Sequence, residues 1–331
     1  MSKKFKVVIT DMLVEPLDCE REILGDIAEV IALNASHPSE LEGKIEDADA
    51  MMVYHYLTHP KETLQRLTNC KAVVRPGVGY DNIDIAAAGK MGIPVCNVPD
   101  YGTEEVADSA LGMALSLARG THFLNSRLRR GIGEWNVNQA TPIPRLRGKT
   151  FGIVGLGRIG SAAAVRAKSF GFNVVFYDPY VPDGMDKALG IRRADEYDEL
   201  LETSHILSFH CPLTKYTRNM LSVDEISKMQ NGSFVVNTAR GGVVDTEAVI
   251  DALKEGKLAG AGIDVLEKEP PEEESKIIQA WKDPNHPAHD RMILNPHTAF
   301  YCDEGAVEFR TKGSLEVKRA LLGEPLRNRV N

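Results

Sequence analysis

Short apolar runs, separated by polar stretches compatible with helix, recur along almost the whole chain. In the N-terminal part, runs at residues 6–10, 30–33, 50–54, 72–75 and 94–97 read as strands. Helices are expected between them, over 16–24, 40–46, 61–67 and 83–91. Strict alternation of strand and helix implies a parallel, doubly wound sheet. Thr103–Arg119, TEEVADSALGMALSLAR, reads as a long helix with Thr103 as its N-cap and acids in its first turn. Val106, Leu111, Ala114, Leu115 and Ala118 give it a broad apolar face, so it is expected to link two domains. Residues 131–147 have little periodicity and read as a loop.

Beyond Lys149 the alternation resumes. Strands are expected at 151–154, Asn173–Tyr177, 206–210, 234–237, 261–265 and 292–295, and helices at 158–170, 196–202, 223–229 and Thr246–Glu255. They make a second doubly wound sheet of about six strands. Residues 269–287, rich in Pro and Glu, read as a surface loop, and 302–322 as a closing amphipathic helix that returns to the first domain. The fold class is therefore α/β with two doubly wound parallel-sheet domains.

One stretch carries chemistry of its own. Strand 151–154 runs into Gly155, Gly157 and Gly160, a G-x-G-x-x-G that opens an Ala-rich helix. The next strand ends at Asp178, 18 residues past Gly160. In such a βαβ unit the first glycine allows the turn, the second lets a pyrophosphate approach the backbone, and the third lets helix and strand pack. The helix N-terminus adds unpaired N–H groups and partial positive charge. Asp178 is placed to accept both ribose hydroxyls and would repel a 2′-phosphate, while Pro179 and Tyr180 supply no cation to hold one. The expected cofactor is NAD rather than NADP. The first domain lacks this motif, having Thr10-Asp11-Met12-Leu13 after its first strand. Its glycine-rich stretch is RPGVGYDNID from Arg75, where the N–H groups of Val78 and Gly79 point at an anion or simply close a βα turn.

Composition narrows the function classes. The 331 residues suffice for two domains, and 43% hydrophobic with 26% charged residues is ordinary for a globular protein. The net charge of −8 argues against direct nucleic-acid binding, and the basic clusters 127–130 and 145–149 read as solvated surface. No apolar run approaches the ~18 residues of a membrane span. MSKKFKVVITD leads directly into a strand and does not read as a secretion signal. Five scattered cysteines, none in a C-x-x-C pair, fit reduced thiols in a cytoplasmic chain, and no metal site is expected.

Ligands of open α/β sheets bind beyond the carboxyl ends of the strands. Arg240, Glu269 and His297 stand at or just after such ends, and together they suit reduction of an α-keto acid. Arg240 would grip the carboxylate and polarise the carbonyl, and His297 would give the carbonyl oxygen a proton. Glu269 would orient the ring of His297 and favour its protonated form. Each also has a structural reading: a helix-entry salt bridge, a loop carboxylate and a strand cap.

At these residues the chain resembles the D-isomer-specific 2-hydroxyacid dehydrogenases. The likeness runs through LRGKTFGIVGLGRIG (146–160), HCPLT (210–214), NTARGGVVD (237–245), GIDVLEKEPP (262–271) and NPHT (295–298), in that order. It implies a Rossmann NAD-binding domain, 100–299, inserted into a flavodoxin-like substrate-binding domain, 1–99 plus 300–331. It implies that Arg240, Glu269 and His297 are catalytic, and that Val78 and Gly79 hold the substrate carboxylate through backbone N–H groups. Asp264 and the Cys211, Thr238 and Ala239 region would line the nicotinamide. Arg158 and Ile159, between the glycines, and Thr217 are counted with the cofactor contacts. The resemblance also implies a homodimer through the coenzyme domain and a small anionic 2-keto or 2-hydroxy acid as substrate.

Within that family the chain is most similar to the C-terminal-binding-protein branch, in VYHY (53–56), VRPGVGYDNIDI (74–85), VCNVP (95–99), RAKSFGFNVVFYDPY (166–180) and DGMDKALG (183–190). HTAFY (297–301) is similar too, with Phe300 where that branch has Trp. The likeness implies that Arg75 joins the carboxylate site, favouring a compact, strongly anionic acid with Phe300 as an apolar wall. Tyr54 and His55, with Trp135 and Tyr301, are expected to tune side-chain selectivity. Asp108 stands where the wider family more often has Glu. The branch's long C-terminal extension is not seen after Asn331, which favours a metabolic enzyme over a corepressor. Two other readings stay open: an NAD(H)-sensing dimeric scaffold, and a dehydrogenase of an inorganic oxyanion such as phosphite.

Overall fold

The computed structural model describes residues 4–331. They fall into two compact units, one made of the described residues up to Gly102 together with Cys302–Asn331, the other of Thr103–Tyr301. Phe300 and Tyr301 thus belong to the second unit.

The first unit opens β1 (Phe5–Ile9), α1 (Asp18–Leu24), β2 (Ala28–Ala32), β3 (Ala50–Met52), α2 (Lys61–Leu64), β4 (Val73–Arg75), α3 (Ile85–Lys90) and β5 (Val95–Asn97). All strands are parallel in the order β2-β1-β3-β4-β5, the flavodoxin-like arrangement, with the order reversing between β1 and β3. The helix expected over 40–46 is instead one 3-10 turn, Pro38–Leu41. Glu40 caps it by accepting from the N–H of His37 at 2.9 Å, and Gly43, at φ +71°, stops the chain from continuing as a helix.

The second unit continues with α4 (Thr103–Arg119), α5 (Thr121–Arg129), β6 (Thr150–Val154), α6 (Arg158–Ser169), β7 (Asn173–Tyr177), α7 (Met185–Leu189), β8 (Arg192–Arg193), α8 (Tyr197–Thr203), β9 (Ile206–Phe209) and α9 (Val223–Lys228). It closes with β10 (Ser233–Asn237), α10 (Thr246–Glu255), β11 (Leu258–Ile263), α11 (Lys276–Lys282), α12 (Ala288–Arg291) and β12 (Met292–Leu294). The parallel order is β12-β11-β10-β9-β6-β7-β8. That is the dinucleotide-binding plan with one strand more than the sequence suggested. The extra strand is β8, two arginines with no apolar signal, paired with Val175 and Phe176 of β7.

Two further elements correct the sequence reading. Residues 269–287 are not all loop: α11 forms there because Ile277, Ile278 and Ala280 bury one face into the core shared with Val249 and Leu253. The cluster 127–130 is not free surface either. Arg127 on α5 bonds Asp290 at 3.0 Å, and Arg130 bonds it at 3.3 Å.

The last helix, α13 (Asp303–Leu322), completes the first unit. Gly313 lets it approach Pro76 closely, since a β-carbon there would stand 2.8 Å from the proline ring. Arg310 clasps Glu20 of α1 with bonds of 2.8 and 2.6 Å, and Glu20 has no solvent exposure. This pair satisfies a charge that burial alone would expel.

His59 is also fully buried, and neither ring nitrogen has a hydrogen-bond partner among the described residues. Burial pushes its pKa down to about 4, and the charge of Asp11 opposes this only in part. The unfolded chain therefore binds the proton first, and stability falls as pH drops from about 6.5 towards 4, by up to about 3 kcal/mol from this residue. His59→Phe is expected to remove that share of the pH dependence. Denaturant unfolding at pH 7 and pH 4.5 measures it, and an unchanged difference between the two would contradict the assignment.

Candidate active site

The carboxyl end of β6 shows why its glycines are glycines. Gly155 has φ +88°, and a β-carbon on it would stand 2.9 Å from the Cys211 backbone at the end of β9. One on Gly160 would stand 2.0 Å from the Gly155 carbonyl oxygen, whereas one on Gly157 would meet nothing within 4 Å among the described residues. Two glycines thus allow close packing and the third faces open space, the division of labour a pyrophosphate site needs. The first-turn N–H groups of α6, from Arg158 and Ile159 onward, have no intrahelical acceptor by construction. Asp178 is fixed beside them: its carboxylate accepts from Leu156 N at 2.8 Å and Tyr180 N at 2.9 Å. These residues fit a dinucleotide.

Other predicted cofactor residues have more mixed surroundings. Burial pushes the Cys211 thiol up to about 12, so it is a neutral apolar wall. Thr238 is buried, with a hydroxyl that finds no partner among the described residues. Ala239 donates its N–H to Asn237 Oδ1 at 3.0 Å, fixing the turn. Thr217 uses its hydroxyl within its own turn, donating to the Pro212 carbonyl at 2.6 Å.

The ends of β10, β11 and β12 form one braced cluster. Asn237 Nδ2 donates to the Arg240 carbonyl at 2.9 Å, and the Arg240 guanidinium donates to the Ala239 carbonyl at 2.8 Å. Gly241 lies so close to the next loop that a β-carbon would stand 1.9 Å from the Leu266 carbonyl carbon. That approach sets the Arg240 turn against the segment carrying Glu269. Glu269 accepts from Leu266 N at 2.7 Å through one oxygen and contacts His297 Nδ1 at 2.7 Å through the other. His297 has φ +54°, a conformation that costs a non-glycine residue free energy and persists only where its surroundings enforce it.

Asp264 does the enforcing. It is 2% exposed, its carbonyl accepts from His297 N at 2.8 Å, and its carboxylate accepts from Thr298 N at 2.9 Å and Ala299 N at 3.1 Å. Burial raises its pKa despite the N–H groups and His297, which pull it down. Phe300 packs edge-on to the His297 ring, with centroids 5.9 Å apart. Ser109 of α4 holds the Ala299 carbonyl at 3.2 Å.

In the first unit, the point where strand order reverses is organised by Asp11, which the sequence reading passed over. Fully buried, it accepts from Tyr54 N at 3.0 Å and Tyr56 N at 2.6 Å. Tyr54 itself points inward, 2% exposed and packed on Phe309, while Tyr56 is the exposed aromatic of this loop, and His55, between them, is half-buried. At the end of β4, Arg75 is 9% exposed and folds back onto its own turn, donating to the Pro76 carbonyl at 3.2 Å. Its guanidinium fills the place of a Gly77 side chain: a β-carbon there would overlap Nη1 at 1.2 Å. Asn97 braces the same turn by donating to the Val78 carbonyl at 2.8 Å. Val78 and Gly79 remain half-exposed at its tip.

Two doubly wound units, one bearing a dinucleotide loop at its strand ends, make this a two-unit α/β protein with a nucleotide-binding half. Residues 111–299 match the model of the D-isomer specific 2-hydroxyacid dehydrogenase NAD-binding domain, and the chain belongs to that family. It is 35% identical to D-3-phosphoglycerate dehydrogenase of Methanocaldococcus jannaschii over 98% of this chain and 59% of that protein. It is 34% identical to C-terminal-binding protein 1 of Caenorhabditis elegans over 94% of this chain and 43% of that protein. The chain thus spans about half the length of these curated relatives. The structure of D-lactate dehydrogenase from Aquifex aeolicus, complexed with NAD and lactic acid, superposes with a TM-score of 0.84 at 28% identity, covering 96% of each chain.

If Asp178 accepts the adenosine ribose hydroxyls, its charge disfavours a 2′-phosphate and so selects NADH over NADPH. Asp178→Ala is expected to narrow the ratio of the two dissociation constants by roughly tenfold or more, read by nucleotide fluorescence titration. Equal affinity for both nucleotides in the unmutated protein would refute this reading.

Proposed function

We propose that this chain is an NAD-dependent D-2-hydroxyacid dehydrogenase that interconverts a small anionic 2-keto acid and its 2-hydroxy acid. The observation that carries this reading is the His297–Glu269 contact of 2.7 Å at a strand end, with His297 held at φ +54°. A carboxylate on Nδ1 fixes the ring orientation and makes Nδ1 the donor towards Glu269, so proton exchange with the substrate is assigned to Nε2. Bound NADH supplies the hydride for carbon 2. Arg240 binds the substrate carboxylate and draws electron density towards the carbonyl oxygen. His297 Nε2 gives that oxygen a proton and takes it back in the oxidative direction, with Glu269 stabilising the charged ring in between. Arg75, set against the 76–79 turn, supports a compact and strongly anionic substrate held by the Val78 and Gly79 N–H groups.

His297→Ala is expected to lower turnover on the best of a panel of 2-keto acids by roughly 10²–10⁴-fold while NADH affinity stays within a factor of two. Steady-state kinetics and NADH titration decide it. If the unmutated protein turns over no acid above the His297→Ala background, the dehydrogenase reading fails. The likeness to the nematode C-terminal-binding protein would then favour an NAD(H)-sensing scaffold.

We also propose that the protein is a cytoplasmic homodimer formed through the unit Thr103–Tyr301. Five free cysteines fit a reducing compartment. Leu128, Ile132, Trp135 and Val137 are exposed on that unit, Trp135 at 91%, an apolar surface a monomer would leave wet. Sedimentation equilibrium is expected to give twice the chain mass, and Trp135→Glu to shift it towards the monomer. A monomer for the unmutated protein at micromolar concentration removes this proposal.

A further inference from the structure

Arg193 lies on β8, the short strand with no apolar signal in the sequence, yet its side chain makes an unusual set of contacts. One terminal nitrogen donates to the Val181 carbonyl at 2.6 Å and to the Asp178 carbonyl at 3.3 Å. The other donates to Asp183 Oδ1 at 2.9 Å. The guanidinium carbon sits 5.4 Å from the ring centroid of Phe176, which is fully buried in β7 and paired in register with Arg193 itself. One planar cation therefore spans the start, middle and end of the loop 178–183.

These contacts differ in weight. Asp183 is fully exposed, so its ion pair contributes little. The two carbonyls and the aromatic face lie on the more buried side, where a fixed fork of donors and a stacking plane count most. What they hold is the main chain of Asp178. The carboxylate of that residue is aimed by Leu156 N and Tyr180 N, and Tyr180 lies within the loop that Arg193 fastens. If the loop loosens, Tyr180 N moves and one of the two bonds aiming Asp178 goes with it.

We propose that Arg193 is a positioning residue for the adenosine ribose of NAD, acting through the main chain of Asp178 and the 178–183 loop. The inference rests on the reading of Asp178 as the ribose acceptor. It explains a detail that the reading leaves aside, namely why the strand following the ribose acid consists of two arginines. Arg192 points to a different partner, Glu199, on the exposed side.

A double-mutant cycle separates positioning from general support of the fold, with ADP-ribose as the probe because it keeps the adenosine ribose and lacks the nicotinamide ring. Dissociation constants are measured by calorimetry for the unmutated protein, Arg193→Ala, Asp178→Ala and the double variant. Arg193→Ala is expected to weaken ADP-ribose roughly tenfold in the unmutated background and less than twofold in the Asp178→Ala background, since nothing is left to aim. Equal factors in both backgrounds, or no effect in the first, overturn the proposal. If Asp178→Ala alone leaves affinity unchanged, the ribose reading falls and takes this inference with it. If Asp178→Ala weakens binding and Arg193→Ala does not, only the inference falls. Should Arg193→Ala fail to fold by circular dichroism, Arg193→Lys replaces it. A lysine reaches one carbonyl but lacks the fork, so a smaller loss that again vanishes with Asp178→Ala is expected, and a loss that persists there counts against the proposal.

Discussion

The buried carboxylate of Asp264 is the interaction on which the rest of the candidate site depends. Its own N–H pairs with Asn237 of β10, its carbonyl takes the N–H of His297, and its side chain takes those of Thr298 and Ala299. The chain leaving β12 would otherwise carry these donors with no acceptor from the strand ladder, and an unmet buried one, such as that of Ala299, costs on the order of 1–3 kcal/mol. Asp264 satisfies all three at once, and in doing so bends the backbone so that His297 takes up φ +54°. The strain at His297 is local, and the bonds that hold it are spread over neighbouring residues. Burial raises the Asp264 pKa, so its carboxylate is neutralised earlier on acidification than an ordinary one would be.

The same device recurs at the other strand ends. Asp11 takes the N–H groups of Tyr54 and Tyr56 after β3, and Asp178 takes those of Leu156 and Tyr180 after β7. Parallel strands end together on one side of a sheet, and the loops that leave them expose donors the ladder no longer uses. A short acidic side chain at such an end satisfies donors from the neighbouring loop and so fixes one loop relative to the next. The three aspartates differ in what remains available. Asp11 and Asp264 are buried and spent on the backbone, whereas Asp178 is only half-buried and keeps acceptor capacity for a ligand.

This difference explains what was legible in the sequence. The alternation of apolar runs identified most of the parallel strands, because burial on both faces leaves a short uninterrupted signal. The glycine loop was legible because each glycine answers a steric demand. Arg240, Glu269 and His297 stand out in the sequence because they are ionisable residues that follow strands. By the same rule Asp11 stood in view after the first strand, but a buried acid serving main-chain donors looks no different in sequence from an exposed one. β8 was invisible because two arginines carry no strand pattern; pairing with β7 and the Phe176 ring stabilise it. α11 was hidden by the prolines and glutamates around it, although Ile277 and Ile278 already marked a buried face. Tyr54, expected to tune side-chain selectivity, is buried, because the extended loop alternates and Phe309 lies beneath it.

The arginines show the limit of reasoning from residue type alone. Arg75, Arg193 and Arg240 each turn back to a main-chain carbonyl within their own loop or the loop beside it. A guanidinium presents its five donors in one fixed plane, so one or two bonds to carbonyls set the orientation of the whole group. An arginine tethered in this way loses less conformational entropy when an anion arrives, because part of that cost is already met on folding. Gly77 makes the point sterically, since only the absence of a side chain there lets the Arg75 guanidinium lie against the turn. The spacing R-P-G in the sequence is therefore more than a turn signal: proline and glycine together create the slot in which the arginine is held, and the half-exposed Val78 and Gly79 follow at its mouth.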